Sequence, residues 1–302
     1  MSKEKNLSAS HKREGSRAFH IVNYLVLGIV FFIVAYPLYF VLIASFRSPG
    51  AVGLGEVVLF PKGITFEGYK GIFANDQILT GYKNSLIYTT VGIFFSVTAT
   101  ILAAYALARK DLPGRKILMM LIVFTMYFGG GMIPTYLVVN DLNLTNTMWS
   151  LILPTMIVPY NLIIARTFFE SSIPGEVRES AMLDGCSEFQ FFCKIALPLS
   201  GAIIAIMVLF YGVAQWNTYF NAMIYIKDQS KYPLQLVLRN ILIENQVSTD
   251  MVGDSALTAL KMERASLIKY VSIIVSAAPL LIMYPFVQKH FVKGVLIGAV
   301  KG

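Results

Sequence analysis

Glu179-Ser180-Ala181-Met182-Leu183-Asp184-Gly185 sets two carboxylates and a hydroxyl just ahead of a glycine, and Ile195-Ala196-Leu197-Pro198 follows after nine intervening residues. The stretch is a polar, acidic island between long apolar runs, and it reads as two short helices broken at the glycine. A plain linker could be short and featureless, so a helical knuckle inserted here is expected to dock something. Our reading is that it receives mechanical work from a separate motor protein. The alternative is an interfacial helix lying on the membrane, which Phe191 and Phe192 would support.

The local signals for the knuckle are specific. Pro174 suits a first helical turn, and Glu176 and Glu179 lie near the helix start, where the dipole favours negative charge. Gly185 is free to take the left-handed conformation that ends a helix after Asp184. Ser187-Glu188-Phe189-Gln190 has the capping-box pattern, so a second helix starts there. Phe189, Phe192, Ile195 and Ala196 recur at helical steps to give one packing face, up to Pro198, where the next span is expected to begin.

A second group of residues lies further along. On a helix turning about 100° per residue, Tyr211, Gln215, Thr218 and Tyr219 share a face, Asn217 and Asn221 lie beside it, and Trp216 and Phe220 point away. Hydroxyl-rich ligands need neutral donors and acceptors next to aromatic faces, and this surface offers both. The same residue types also hydrogen-bond helices to one another in membranes, so packing is the competing reading. Tyr127, Tyr136, Tyr160 and Asn161 are further candidates from neighbouring spans.

The elements that must carry these groups follow from composition. The chain of 302 residues is 56% hydrophobic and 14% charged, against about 25% charged in an ordinary soluble domain. Its mean hydropathy is +0.64. The charges are segregated, leaving six apolar runs that each approach or exceed the roughly 20 residues needed to cross a bilayer. The expected spans are 20–46, 84–108, 117–140, 147–167, 198–226 and 268–288, within an all-helical membrane domain of residues 20–290. Prolines at Pro37, Pro134, Pro154, Pro159, Pro279 and Pro285 are expected to bend them.

Basic residues near span ends are retained in the cytoplasm. Lys3, Lys5, Lys12, Arg13 and Arg17 precede the first span, Arg109, Lys110, Arg115 and Lys116 follow the second, and Lys289, Lys293 and Lys301 follow the last. With six spans, these fall on one side together with the 170–198 loop. The 1–19 tail, the 289–302 tail and the knuckle are therefore expected in the cytoplasm. The net charge of +8 is read as this topology signal and not as a nucleic-acid surface. The first apolar run is too long for a signal-peptide core and is read as a retained span. On the outer side, Thr65–Ala74 with Phe66, Tyr69 and Phe73, and Ile241–Met262, are expected to form short helices.

Absences narrow the function. Within the charge-free runs no Asp, Glu, Lys or Arg marks an ion or proton path, which argues against a gradient-driven carrier. No G-x-x-x-x-G-K-[ST] loop is present, so any nucleotide must be bound elsewhere. Cys186 and Cys193 lie in or beside a reducing loop and are read as unpaired, and His11, His20 and His290 have no metal-ligand spacing.

The spacing Glu179-Ser180-Ala181, three residues, Gly185, nine residues, Ile195, one residue, Leu197-Pro198 resembles the EAA loop of bacterial ABC importer permeases, E-A-A-x3-G-x9-I-x-L-P. Ser180 in place of the first alanine is the only departure. Further segments are similar to the MalG-like half of carbohydrate uptake importers: Gln215-Trp216-Asn217-Thr218-Tyr219, Tyr232-Pro233-Leu234-Gln235, and the ending Phe291-Val292-Lys293-Gly294-Val295 through Gly298-Ala299-Val300-Lys301-Gly302. Gly129-Gly130-Gly131 and Ile133-Pro134-Thr135-Tyr136 place the likeness in the oligosaccharide and polysaccharide-fragment subgroup.

This resemblance implies the type I ABC importer permease fold, multi-pass in a bacterial cell membrane, with carbohydrate import by alternating access. It implies ATPase coupling through Glu179, Ser180, Ala181, Asp184, Gly185, Ile195, Leu197 and Pro198, and a substrate path near Tyr211, Gln215, Asn217, Thr218, Tyr219 and Asn221. The implied partners are a second, homologous permease subunit in a heterodimer, two ATP-binding subunits that hold ATP and Mg, and an extracellular solute-binding protein. The chain itself is expected to be non-catalytic and without a cofactor. A permease for peptides or amino acids would share the loop but lack the Trp216-Asn217 and terminal Lys-Gly likeness.

Overall fold

The structure is a computed structural model, and it describes residues 17–47, 64–250 and 267–285. Residues 1–16 of the expected amino-terminal tail, the 289–302 tail and the 251–262 part of the expected Ile241–Met262 helix lie outside the described residues. Those described are helical with irregular connections, and no strand occurs among them. The helices are α1 (Arg17–Ser45), α2 (Glu67–Phe73), α3 (Asp76–Ala108), α4 (Arg115–Tyr127), α5 (Met132–Asp141) and α6 (Trp149–Ile152). They continue with α7 (Pro159–Ser172), α8 (Gly175–Leu183), α9 (Glu188–Phe191), α10 (Gly201–Trp216), α11 (Phe220–Tyr225), α12 (Leu234–Asp250) and α13 (Leu267–Pro285).

Among the described residues, three helices are long and apolar enough to cross a membrane: Phe19–Ser45 within α1, α3, and α13. Three bent pairs pass the same test only when each is taken together. These are α4 with α5, bent by 116°, Trp149–Thr155 with α7, bent by 53°, and Glu188–Leu199 with α10, bent by 75°. The expected spans 117–140, 147–167 and 198–226 are thus not straight rods.

Each break has a local cause. Gly131 sits at φ +85 between α4 and α5, a backbone state that suits glycine, and Gly129 and Gly130 precede it. Val158 is extended because a proline follows it, and Pro159 opens α7 at the position where its missing N–H is harmless. After α9 the helix widens into a π segment, Phe192–Ala196. The widening lies where the ring of Pro198 would otherwise meet the Lys194 carbonyl. Pro198 therefore sits in the last helical turn before the bend, Leu197–Leu199, and α10 begins at Gly201 after it.

The chain divides into two compact units. In the smaller, Phe46 stacks on Tyr69 at 5.2 Å, Ser45 and Tyr69 share a hydrogen bond of 2.8 Å, and Phe40 meets Tyr270 edge-on at 5.7 Å. Gly68 is there because a Cβ would fall 2.8 Å from Val271. The larger unit is built on α3, which begins at Asp76 and not near residue 84, capped by the Asn75 side chain accepting from the Gln77 amide at 2.9 Å. Its 33 residues extend about 50 Å, longer than the bilayer core of about 30 Å.

One face of α3 carries Gly81, Ser85, Gly92, Ser96, Thr100 and Ala104 at steps of four or seven residues. Small residues of this kind let helices approach closely where lipid removes the hydrophobic driving force. α7 and α10 pack against α3 here, and a Cβ on Gly92 would lie 3.0 Å from Gln215. A core of Ile101, Ala104, Leu107, Leu162, Phe169, Phe191, Phe192 and Met207 fills the space between them. At the other end of α3, Asn84 donates to the carbonyls of Ser230 and Tyr232, and the Leu234 amide donates to Ser85. α12 starts at Leu234, seven residues ahead of the expected loop helix.

Candidate functional site

The knuckle is a helical hairpin, and its turn is fixed by backbone bonds. Gly185 has φ +78, the Gly185 amide donates to Met182 O at 3.0 Å and the Cys186 amide to Ala181 O at 2.9 Å. This pair of bonds is a Schellman closure, which satisfies carbonyls that the end of α8 would otherwise leave open. No atom lies within 4 Å of where a Cβ on Gly185 would be, so the glycine is required by conformation and not by space. The return helix α9 opens with the full capping box: Ser187 Oγ accepts from the Gln190 amide, and Gln190 Oε1 accepts from the Ser187 amide at 3.1 Å. Pro174 stands one residue ahead of α8, as its cap.

The two faces of the hairpin differ. Ala181, Phe191, Phe192 and Ala196 are buried in the core, with Ile195 and Leu197 packed beside them. Glu179, Ser180, Asp184, Gly185 and Pro198 are exposed. Two apolar side chains stand out with them, Leu183 at 89% exposure and Phe189 at 74%. Large apolar side chains presented on a charged loop mark a docking surface better than scattered exposure would. Sequence reasoning missed Leu183, although its place directly before the cap of a helix ending in left-handed glycine puts it at the hairpin tip.

A ring of charges closes the base of the hairpin, and this too was missed. Arg109, just past α3, contacts Asp111 at 2.5 Å and Glu188 at 2.7 Å. Arg178 of α8 contacts the same two acids, Asp111 at 3.2 Å and Glu188 more closely. Hydrogen bonds from the Arg109 guanidinium hold the Asp111 carboxyl well below the usual carboxylate range, against a smaller opposing effect of burial. Beside the ring, Arg166 donates to Leu107 O at 3.1 Å, satisfying a carbonyl at the end of α3, and pairs with Glu170 at 2.6 Å. Glu170 also pairs with Arg115 at the start of α4. Arg109, Asp111, Arg178 and Glu170 line a cavity of about 340 Å³ with Tyr105, Phe169 and Glu179. The available signal was pairing across the turn: Arg178 and Glu188 lie equally far from Leu183, so a helical hairpin makes them face each other.

The second candidate group does not form one helical face. α10 ends at Trp216, Asn217 is its cap, and Tyr219 precedes the separate short α11. Tyr211, at 2% exposure, has its hydroxyl 2.7 Å from Thr100 Oγ1 and accepts from the Val158 amide at 3.1 Å. It thereby satisfies the donor at the break ahead of Pro159. Gln215, at 7% exposure, packs across Gly92 and donates to Leu151 O at 3.4 Å. Trp216, expected to point away from the bundle's polar surface, is buried and donates to Ser276 O at 2.8 Å.

Asn217, Thr218, Tyr219 and Asn221 remain partly or fully accessible, with Asn217 Nδ2 donating to Val213 O at 2.9 Å. Among the weaker candidates, Asn161 is buried, Tyr136 stacks on Tyr225 at 6.1 Å, and Tyr127 and Tyr160 are exposed. Cys186 and Cys193 are free thiols.

Comparison with known proteins places this geometry. Residues 96–297 match the family model for the binding-protein-dependent transport system inner membrane component. The chain is 43% identical over 292 residues to Protein LplC of Bacillus subtilis, covering 97% of this chain and 98% of that one. It is also 43% identical over 288 residues to the polygalacturonan/rhamnogalacturonan transport system permease protein YtcP of Bacillus subtilis, covering 95% and 99%. Among solved structures it is similar, at 30% identity and a TM-score of 0.81, to a chain of a bacterial ABC transporter involved in the import of the acidic polysaccharide alginate, covering 92% of this chain and 98% of that one. This chain, with its capped helical hairpin and its bent apolar helices, belongs to the family of binding-protein-dependent transport system inner membrane components.

Proposed function

We propose that the chain is the membrane-spanning permease subunit of an ATP-driven importer that takes up oligosaccharides, the fragments of larger polysaccharides. The observation that carries this is the hairpin Gly175–Leu199. It is rigidly closed at Gly185, anchored by an apolar inner face, and presents Glu179, Ser180, Leu183 and Phe189 outward. Such a surface suits a groove on a separate ATP-binding subunit. The relatives support the solute class, since they include a polygalacturonan/rhamnogalacturonan transport system permease protein and a transporter involved in the import of alginate.

In this reading the three long helices and three bent pairs make six spans, with both termini and the hairpin in the cytoplasm. A second, homologous permease subunit completes the pathway, two ATP-binding subunits hold ATP and Mg, and an extracellular solute-binding protein delivers the sugar. Closure of the ATP-binding subunits moves the hairpin, and the attached helices open the path outward. Hydrolysis then resets the inward state.

Asn217, Thr218, Tyr219 and Asn221 are the groups placed to meet sugar hydroxyls, because they leave the helix at the break between α10 and α11. Tyr211 and Gln215 stand behind them and hold neighbouring helices together.

The test is to reconstitute the complete complex in proteoliposomes and measure ATP hydrolysis with the binding protein and a panel of oligouronides, neutral oligosaccharides, peptides and amino acids. Stimulation and uptake with oligosaccharides are expected. Stimulation by peptides or amino acids alone would overturn the substrate class.

A further inference from the structure

The charge ring described above has a consequence for how force enters the membrane domain. Along the chain, the hairpin connects only to α7 before it and α10 after it. Through space it is tied to a third element, α3. Arg109 and Asp111 follow α3, Arg178 belongs to α8 and Glu188 to α9, and each arginine touches both acids. The four side chains therefore form a closed circuit, Arg109 to Asp111 to Arg178 to Glu188 and back. Guanidinium groups suit this because their forked donors can engage two carboxylates in fixed directions.

Beneath the circuit lies an apolar floor. The Tyr105 ring sits 4.9 Å from Phe192 and 5.7 Å from Phe169, and Leu107, Ala181 and Phe191 are buried in the same cluster. Single exposed ion pairs contribute little, but a network over a packed floor resists sliding and rotation together. α3 also reaches the opposite end of the larger unit, where Asn84 and Ser85 hold the 230–234 segment.

We propose that Arg109, Asp111, Arg178 and Glu188 are positioning residues that join the hairpin to α3 as one lever, so that the push of the ATP-binding subunit is delivered to α3 directly and not only along the chain into α7 and α10. The proposal rests on the coupling reading given above. It assigns the coupling ratio, the number of ATP molecules hydrolysed per sugar imported, to a complementarity of charge that the docking surface itself does not contain.

The experiment uses the complete complex in proteoliposomes with its binding protein and an oligosaccharide that drives uptake in the unaltered complex. Three forms are compared with it: Glu188→Gln, Arg178→Gln, and a fourfold inversion combining Arg109→Glu, Asp111→Arg, Arg178→Glu and Glu188→Arg, which again sets each basic position against both acidic ones with the signs reversed. In the single variants the ATP-binding subunit should still co-purify and hydrolyse ATP, while ATP consumed per sugar rises by about fivefold, the factor expected when two exposed pairs are lost together.

The fourfold inversion should bring the ratio back to near that of the unaltered complex. An unchanged ratio in both single variants overturns the proposal, and so does loss of the ATP-binding subunit from them, since the residues would then dock and not position. Failure of the inverted form to recover, while it assembles normally, also overturns it. Should the unaltered complex itself hydrolyse ATP without importing any sugar, the functional reading fails instead, and the two failures are distinct.

Discussion

Replacing Tyr211 with Phe removes one oxygen from a buried polar junction in the larger unit. The hydroxyl lies 2.7 Å from Thr100 Oγ1 and accepts the Val158 amide at 3.1 Å, and the side chain is 2% exposed. Phenylalanine fills the same volume, so no cavity forms and the effect isolates the hydrogen bonds. The Val158 amide is the serious loss, because it belongs to the break ahead of Pro159 and has no helical partner. A buried donor left open costs about 1–3 kcal/mol, whereas individual side-chain bonds between membrane helices average about 0.6 kcal/mol. We therefore expect Tyr211→Phe to destabilise the assembled complex by about 1–2 kcal/mol. Denaturant titration of the purified complex measures this, and Thr100→Val in a double-mutant cycle gives the coupling between the two residues. Solute preference should stay unchanged. A shift in preference without loss of stability would refute the reasoning and return Tyr211 to the substrate path.

Gly185→Val forces a β-branched residue to φ +78 and should cost at least the 1–2 kcal/mol of a roughly αL state for an L-residue, whereas Gly185→Asn should be far milder. Uptake per ATP in the valine form is the readout, and equal values for both forms would contradict the turn argument. The pair Asn217→Ala and Tyr219→Ala should lower sugar-stimulated ATP hydrolysis by about tenfold without loss of complex yield, as expected when polar groups that meet a ligand are removed. Loss of yield with intact stimulation would mean that they pack. Asp111 has a carboxyl pKa depressed by Arg109, so its contribution is complete above the ordinary value of about 3.9 and is lost only as pH falls through its lower folded value. The coupling ratio should accordingly be flat between about pH 5.5 and 8, and a step in that window that disappears in Asp111→Asn would contradict this.

The hairpin was legible because its signals are local. A glycine that ends a helix and a capping box that starts the next are each written within a few residues, and Gly185 and Ser187 form the structures they encode. Six apolar runs were legible from their lack of charge, and the bend ahead of α7 from Pro159, yet the breaks at Gly131 and Ser200 were not. A run such as 117–140 is uniformly apolar, and only the three glycines at 129–131 show where it turns through 116°. The polar face drawn through Tyr211, Gln215, Thr218 and Tyr219 failed for the same reason, since helical projection assumes continuity and α10 stops at Trp216. The charge ring needed tertiary information: Arg109 and Asp111 are brought to Arg178 and Glu188 by packing of α3 against the hairpin, across 67 positions in the case of Asp111 and Arg178. In the sequence Arg109 served equally well as a topology signal.

The central claim is that the exposed tip of the hairpin seats in an ATP-binding subunit. A cysteine in place of Leu183, 89% exposed at that tip, tests it most directly when the free Cys186 and Cys193 are replaced by serine and the assembled complex is treated with a short bifunctional thiol reagent. The account predicts a cross-link to a cysteine placed in the groove of the ATP-binding subunit, formed from the cytoplasmic side of the membrane, with ATP-dependent uptake blocked once it forms. A Leu183 position that stays free of that subunit and reacts only with reagent added to the outer face would contradict it.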